Sequence, residues 1–137
     1  MYSKILIPMA LDHGIAPSAI AVAKELLDEG GEIIALHVYE MPEGTVSAYL
    51  DENVVREAYE GARKRLNERT ADVEGVTAVL RKGHTARTII DFAAESSVDC
   101  IVIGSHKPGF ADYLLGTTAS RVVRHAHCAV HVLRTPD

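Results

Sequence analysis

Five short apolar segments recur along the chain, and between them the apolar residues are spaced three or four positions apart. The short segments are rich in β-branched residues. The first, second and fourth are almost continuously apolar, which is typical of parallel strands covered on both faces. The predicted strands are Ile5–Met9, Ile33–Val38, Val76–Leu80, Cys100–Ile103 and Ala129–Leu133.

The stretches between these strands follow the helical period. Pro17 can open the first helix in its first turn, and Gly30 with Gly31 are expected to end it. Thr85 is expected to cap the third helix, and Thr117 or Thr118 the fourth. The apolar faces are predicted at Ile20, Ala23, Leu26 and Leu27 in the first helix, at Val55, Ala58, Tyr59, Ala62 and Leu66 in the second, at Ile89, Phe92 and Ala93 in the third, and at Val122 and Val123 in the fourth.

Strands that alternate with helices indicate right-handed β-α-β crossovers and a doubly wound parallel sheet. The length of 137 residues suits one compact domain, residues 1–137. The irregular stretch Tyr39–Asn53 is interpreted as a long surface connection, with or without a short helical piece.

Composition excludes several classes of function. An apolar content of 47% with 24% charged residues is typical of a soluble globular protein, and no apolar run approaches the ~20 residues of a membrane span. The net charge of −5 argues against nucleic-acid binding. The N-terminal segment shows no secretory signal, and the two isolated cysteines, Cys100 and Cys128, indicate no disulfide scaffold, so we expect a cytoplasmic protein.

The candidate site lies in the segment IGSHKPGFADYLLGTTASRVVRHA, which starts at Ile103. Ligands of open parallel sheets bind beyond the carboxyl ends of the strands. Gly104 ends the fourth strand and would let a ligand approach the main chain. The helix that begins after Gly116 offers unpaired N–H groups and a partial positive charge, which suit phosphate.

Further donors surround that helix start. Hydroxyl groups are present at Thr117, Thr118 and Ser120, and Lys107 is the cation within the loop. The alternative is a glycine-rich surface turn with a threonine N-cap, since such turns are common. The Walker and dinucleotide-binding glycine motifs are both missing from the sequence.

Four segments, ILIPMA, ALHV, GHTARTIIDFAAE and VIGSHKPGFADYLLGTTASRVVRHAHCAVHVLR, together resemble the universal stress protein family. The match covers nearly the whole chain in the family's order. The resemblance implies an α/β three-layer sandwich, Rossmann-like and similar to the adenine nucleotide alpha hydrolases, with five parallel strands in the order 3-2-1-4-5. Strand one is then central, and the side chains expected to be buried are Ile5, Ile7, Ile34, Leu36, Ile101 and Ile103.

The resemblance also implies binding of ATP or another adenine nucleotide, with or without Mg²⁺. It implies ribose and phosphate contacts at Gly104, Gly116, Thr117 and Thr118, and adenine contacts near Pro8, Met9 and the main chain of Val38. The complete predicted site consists of Pro8, Met9, Ala10, Asp12, Val38, Ile103, Gly104, Ser105, His106, Lys107, Gly116, Thr117, Thr118, Ala119 and Ser120.

Two departures from the family's pattern concern this site. The family has Gly, two residues, Gly, nine residues and then Gly-Ser or Gly-Thr, whereas here Lys107 stands at the second glycine and eight residues precede Gly116. This is similar to a short-loop branch of the family, with Gly-Ser-His-Lys-Pro at the loop. The family's aspartate after the strand-one proline is Ala10 here, and Asp12 is the candidate to reach back in its place.

The remaining histidines suggest no catalytic or metal site. His125, His127, Cys128 and His131 have metal-binding residue types, but they span a helix end and a strand and should point in different directions, so no metal site is predicted. His37 is expected in the core or at its rim, and His84 in a solvated turn with Arg87. The basic residues of the second helix are interpreted as its solvated face.

Three functions remain open. The first is a nucleotide-binding stress or signalling module, in which binding itself is the readout and no catalytic residue is assigned. The second is a slow ATPase or phosphotransferase, with Lys107 and the threonines stabilising phosphate and with Asp12 or Asp112 as the candidate metal ligand. The third is a nucleotide-independent interaction module. A receiver domain is rejected because the third strand ends in Arg81, Lys82 and glycine rather than in a phosphoacceptor aspartate.

The last strand lies at an edge of the sheet in the implied order. Apolar edges tend to be covered or paired, and the resemblance suggests that two chains meet there. We therefore expect a homo-oligomer, a dimer or a tetramer, with contacts at Ala129, Val130, His131, Val132 and Leu133.

Overall fold

Strands and helices alternate along the computed structural model, which describes residues 1–41, 51–105 and 115–134. The described strands are β1 (Tyr2–Pro8), β2 (Leu27–Tyr39), β3 (Val76–Lys82), β4 (Cys100–Gly104) and β5 (Ala129–Leu133). The described helices are α1 (Pro17–Leu26), α2 (Glu52–Thr70), α3 (Thr85–Glu95) and α4 (Thr117–His125). Positions 42–50 of the predicted surface connection lie outside the described residues.

The strands form one sheet in the order β3-β2-β1-β4-β5, with every neighbouring pair parallel. The predicted order is therefore confirmed, and β1 is central. Ile5 faces Ile33 of β2 on one side and Cys100 of β4 on the other.

Alternate side chains of the strands point to opposite faces, and two helices cover each face. Ile5 and Ile7 pack with Ala19 and Ala23 of α1, and α2 covers the β2–β3 part of the same face. Leu6 belongs to the opposite cluster, which α3 and α4 cover. All six side chains that were expected to be buried are buried: Ile5, Ile7, Ile34, Leu36, Ile101 and Ile103. The result is a three-layer α/β sandwich.

The prediction that Gly30 and Gly31 end the first helix is wrong. Helix α1 ends at Leu26, Leu27 is already extended, and both glycines lie within β2. The pairing of β1 with β2 shifts register between Tyr2 and Lys4, and Gly30 has a φ of +80°. An irregular part of a strand with a residue in the left-handed region favours glycine for the same reason that a helix end does.

The predicted helix caps are also corrected. Gly116, not a threonine, occupies the N-cap position of α4, and His84 precedes the first turn of α3. Thr85 lies within that turn, where its N–H and Oγ donate to the carboxylate of Glu40 at 3.1 and 2.6 Å. A carboxylate from the end of β2 therefore supplies the acceptor that a threonine cap would have supplied.

The apolar faces of the helices are confirmed in part. Ala62 and Leu66 of α2 are buried, and so are Ile89, Phe92 and Ala93 of α3. Seven predicted positions are exposed or only partly covered: Ala58 and Val123 are exposed, and the half-buried ones are Ile20, Leu26, Leu27, Val55 and Tyr59. Helix α2 covers only the edge of the sheet, so its first turns reach past the core.

Candidate functional site

The centre of the sheet opens towards its carboxyl edge. Within the described residues the register pairs between β1 and β4 are Ile5 with Cys100 and Leu6 with Ile101. Beyond them β1 leads to α1 on one face, whereas β4 leads towards α4 on the other. This is a topological switch point, where open parallel sheets bind ligands in the crevice between the diverging connections.

Gly104 forms one wall of this crevice. It is exposed, and a Cβ atom placed on it would have no heavy atom within 4 Å. A Cβ there would therefore meet no atom of residues 1–41, 51–105 and 115–134. The absence of a side chain leaves the main chain at the end of β4 accessible to a ligand.

The start of α4 lies beside Gly104. The N–H of Gly116 donates to the carbonyl of Ser105 at 2.6 Å, and the carbonyl of Gly116 accepts from the N–H of Ser120 at 2.8 Å. No side chain of the described part of the chain caps this helix. The N–H groups of its first turn thus point out of the helix end, in the arrangement that favours an anion.

The side chains around this helix start differ in access. Thr117 is exposed, and Thr118 and Ser120 are half-buried, so all three hydroxyls are at least partly accessible. Ala119 and Ile103 are buried in the core and can take part only through the main chain.

Ser105 joins three elements at the base of the site. Its side chain is buried, its N–H donates to the carbonyl of Leu133 at 3.0 Å, and its carbonyl accepts from Gly116. The end of β5 and the start of α4 are therefore both bonded to the residue that follows Gly104. The next two predicted site residues, His106 and Lys107, lie outside the described residues.

The opposite wall is the end of β1. The N–H of Met9 donates to the carbonyl of Leu36 at 2.9 Å, and Nδ1 of His37 donates to the carbonyl of Met9 at 2.9 Å. The main chain of Met9 is therefore engaged at both groups, next to the half-buried Pro8. His37 is at the rim of the core, as the sequence predicted, and it fixes the direction of this peptide.

Val38 lies beyond the end of β1 on the neighbouring strand. In a parallel ladder, successive residues direct their main-chain groups to opposite sides, and the carbonyl of Leu36 faces β1. Val38 has the same parity as Leu36, so its N–H and carbonyl also face the β1 side, past Met9. A donor and an acceptor are thereby presented to the crevice from one residue.

Asp12 and Ala10 belong to the β1–α1 loop, residues 9–16. Ala10 is exposed, and its carbonyl accepts from the N–H of Gly14 at 3.0 Å. The carboxylate of Asp12 lies 3.5 Å from Nη2 of Arg65, and its carbonyl accepts from Arg69 at 3.1 Å. The structure therefore places Asp12 against helix α2.

These contacts with α2 were missed in the sequence, where the basic residues of this helix were interpreted as a solvated face. Arg65 and Arg69 are four positions apart and so share one side of the helix, which was the available signal. Their partner is more than fifty positions away along the chain, and only the fold reveals it.

The histidine and cysteine residues near the C-terminus do not assemble into a site. Among residues 1–41, 51–105 and 115–134, no group of three or more His, Cys, Asp or Glu residues is placed to hold a metal ion. Cys128 packs against the α3–α4 cluster, whereas Cys100 belongs to the α1 face. Burial raises the pKa of both thiols. Arg87 pairs with Asp91 on its own helix at 3.5 Å.

Comparison with known proteins is consistent with this architecture. The family model "Universal stress protein family" matches residues 1–134. Universal stress protein G of Shigella flexneri is 30% identical over 145 residues, covering 98% of this chain and 100% of that protein. A universal stress protein of Methanothermobacter thermautotrophicus is 32% identical over 148 residues, covering 98% and 97%. The chain belongs to the universal stress protein family.

Solved structures share the fold. The protein MJ0577 superposes with a TM-score of 0.79 at 25% identity, covering 100% of this chain and 99% of that one. A universal stress protein family member from Arabidopsis thaliana, solved with AMP bound, gives 0.61 at 18% identity, covering 98% and 94%. The universal stress protein from Archaeoglobus fulgidus in complex with dAMP gives 0.55 at 19% identity, covering 96% and 97%. No helix in the described part of the chain is long and apolar enough to cross a membrane.

Proposed function

We propose that this universal stress protein binds an adenine nucleotide in the crevice between β1 and β4. The observation that carries the proposal is the start of α4, which no described side chain caps and which lies beside the exposed Gly104. An anion placed there would meet the N–H groups of Thr117, Thr118 and Ala119 together with the positive end of the helix.

The two walls of the crevice fit the two ends of a nucleotide. The phosphates would lie at the first turn of α4, with the hydroxyls of Thr117 and Ser120 as further donors. The ribose would lie over Gly104, where no side chain intervenes. The adenine edge requires one donor and one acceptor, which Val38 directs towards the β1 side. The binding of AMP and dAMP by structural relatives supports this assignment.

ATP is the nucleotide we propose, within a short-loop branch of the family, and Lys107 would add charge beside its phosphates. Asp12 is paired with Arg65, and the described residues bring no carboxylate cluster to the crevice. Asp112, the other candidate ligand for Mg²⁺, lies outside the described residues, and we assign no step to the metal. Binding itself would be the readout of a cytoplasmic stress-response or signalling module.

A homodimer through β5 is part of the proposal. Ala129 donates to Asp99 and the carbonyl of Leu133 accepts from Ser105, so these residues bond to β4. Val130 and Val132 have the opposite parity, and their main-chain groups face the outer side of β5. Within the described residues β5 is the last strand on that side of the sheet. A second copy could extend the sheet there.

Calorimetric titration with ATP, AMP and adenosine tests the nucleotide proposal. A hydrogen bond to a charged group contributes about 1.5–3 kcal/mol. Thr117→Ala should therefore weaken ATP binding roughly tenfold or more, at about 1.4 kcal/mol per decade. Lys107→Ala should weaken ATP more than adenosine, since only the phosphates meet its charge. Wild-type protein that binds no nucleotide at millimolar concentration would instead favour the nucleotide-independent interaction module.

A further inference from the structure

The β1–α1 loop is packed onto helix α2 by apolar contacts. Met9 and Leu11 are buried, and they share one cluster with Ala62 and Leu66 of α2. The loop therefore lies on the second helix of its face, although that helix follows β2 in the chain. Any movement of this part of α2 would act on residues that directly follow Pro8.

Two arginines add polar contacts on the same side of α2. Nη2 of Arg69 donates to the carbonyl of Asp12 at 3.1 Å, and Nη2 of Arg65 lies 3.5 Å from the carboxylate of the same residue. Gly14 closes the turn with a φ of +68°, and a Cβ on it would lie 3.6 Å from Cδ of Arg69. The stem of Arg69 thus lies along the turn, while its guanidinium binds the loop's main chain.

The start of the loop is held from the strand side. Met9 donates to Leu36 and accepts from His37, both on β2. Residues 9–14 are therefore bonded at one end to β2 and at the other to α2. Between these two anchors lies Ala10, which is exposed next to the buried Met9.

We propose that Arg65 and Arg69 are positioning residues for the nucleotide site, an inference that rests on the proposed function. They hold the β1–α1 loop on α2 and thereby fix Pro8, Met9 and Ala10 at the adenine end of the crevice, without touching the nucleotide. Asp12 takes part as the acceptor of this clamp and does not bind the nucleotide or its metal.

The exposure of these side chains determines how much nucleotide affinity each substitution should cost. The side chains of Arg65 and Asp12 are 57% and 77% exposed, and ion pairs of this kind contribute little. We expect Arg65→Ala to weaken nucleotide binding roughly twofold. Arg69→Ala removes a charged donor from a main-chain carbonyl together with the packed stem, and it should weaken binding roughly fivefold.

The experiment compares Arg65→Ala and Arg69→Ala with Lys64→Ala, which removes the same charge from an exposed position of the same helix. Calorimetry measures the Kd for ATP and for adenosine. Repositioning of the loop should weaken both ligands equally, whereas loss of long-range charge should weaken only ATP. Hydrogen exchange of the Gly14 amide, measured without nucleotide, should accelerate severalfold in Arg69→Ala and stay unchanged in Lys64→Ala.

A double-mutant cycle with Asp12→Ala separates the two arginines. Arg65 contacts the carboxylate, so Arg65→Ala should add nothing in the Asp12→Ala background. Arg69 contacts the main-chain carbonyl, which Asp12→Ala retains, so its effect should persist in full. If Asp12 bound the nucleotide or its metal, Asp12→Ala would weaken ATP far more than Arg65→Ala, and the proposal would be wrong.

The remaining outcomes are distinguishable. Wild-type affinity in Arg69→Ala overturns the positioning role and leaves the nucleotide proposal standing. If the wild type binds neither ligand, the proposed function fails and the positioning role fails with it, while exchange at Gly14 still measures whether Arg69 anchors the loop.

Discussion

The N–H of Gly116 donates to the carbonyl of Ser105 at 2.6 Å, and this bond closes the connection between β4 and α4 at its base. Because the closure uses only main-chain atoms, it is independent of the side chains between them. The family's longer loop and the shorter loop of this chain differ within the closed segment. In this chain the start of α4 therefore lies beside Gly104, whatever side chains occupy the connection.

Gly104 provides a direct test of where the ligand lies. Gly104→Ala adds a methyl group in open space, so the free energy of unfolding should be unchanged or up to about 1 kcal/mol higher. The same methyl group would occupy the ligand's position, and ATP affinity should fall at least tenfold. Denaturant unfolding and calorimetry measure the two quantities. Gly61→Ala, on α2 and equally unobstructed, is the control and should leave ATP affinity unchanged.

Gly83 should be needed for stability. Its φ is +144°, and a Cβ there would overlap Oγ1 of Thr88 in α3. Gly83→Ala should lower the free energy of unfolding by about 1–3 kcal/mol, as urea denaturation would measure. Gly75 also has a positive φ, of +81°, but a Cβ there would meet no described atom within 4 Å. Gly75→Ala should therefore lower the free energy of unfolding by less than Gly83→Ala does. If both variants lost the same free energy of unfolding, the proposed overlap between a Cβ at Gly83 and Thr88 would be contradicted.

The outward main-chain groups of β5 allow the dimer to be tested without breaking the sheet. Val132→Pro removes an N–H that faces away from β4, so the bonds of Ala129 and Leu133 to β4 are retained. If two chains pair along β5, the mass by light scattering should fall to that of a monomer at micromolar concentration. Circular dichroism should confirm that the variant folds. A monomeric wild type would contradict the pairing.

Asp99 should make the free energy of unfolding depend on pH in the acidic range. The hydroxyl and N–H of Ser3 donate to its carboxylate at 2.6 and 2.8 Å, and the N–H of Lys4 donates at 3.0 Å. These bonds lower the pKa of Asp99 below its ordinary value of 3.8. The stabilisation is therefore complete above the unfolded-state pKa and is lost as the pH falls below 3.8 through the folded-state value.

The variant Asp99→Asn tests this pH dependence. It should be less stable than wild type at pH 7, and the difference should shrink as the pH falls towards 3, because the wild-type carboxylate becomes protonated. Urea midpoints at several pH values measure it. Asp91→Asn, which removes an exposed partner of Arg87, is the control. A difference that is constant with pH would contradict the assignment to Asp99.

The parallel α/β architecture and its strands could be predicted because they follow from patterns that every residue of a segment repeats, whereas the strand order was implied only by the resemblance to the family. The helix ends could not be predicted, because the same residue type is compatible with several local structures. Gly30 fits a helix end as well as it fits the left-handed position that it occupies in the irregular part of β2. Thr85 fits an N-cap, but Glu40, 45 positions earlier, supplies the acceptor.

In the candidate site, too, some residues could be predicted from the local sequence and others could not. Gly104 and Gly116 stood out in the sequence because both are glycines at predicted element ends, and the structure places them at one crevice. The position of Asp12 depends on the packing of α2 beside its loop, since Arg65 contacts its carboxylate and Arg69 its main-chain carbonyl. No local pattern carries that information.

The narrow join between β1 and β4 divides the sheet into two panels, β3-β2-β1 and β4-β5. Asp99 joins the panels at their amino ends through bonds to Ser3 and Lys4, and helices α1 and α3 pack across both panels on opposite faces. Beyond Leu6 and Ile101, no register pair between β1 and β4 is described. A nucleotide bound in the crevice would contact both panels and stabilise their arrangement in the folded state. Ligand at a hundred times its Kd adds about 2.7 kcal/mol to the stability of the folded state. The unfolding temperature of this protein would then depend on the nucleotide concentration in the cell, and the fraction of folded protein would report that concentration.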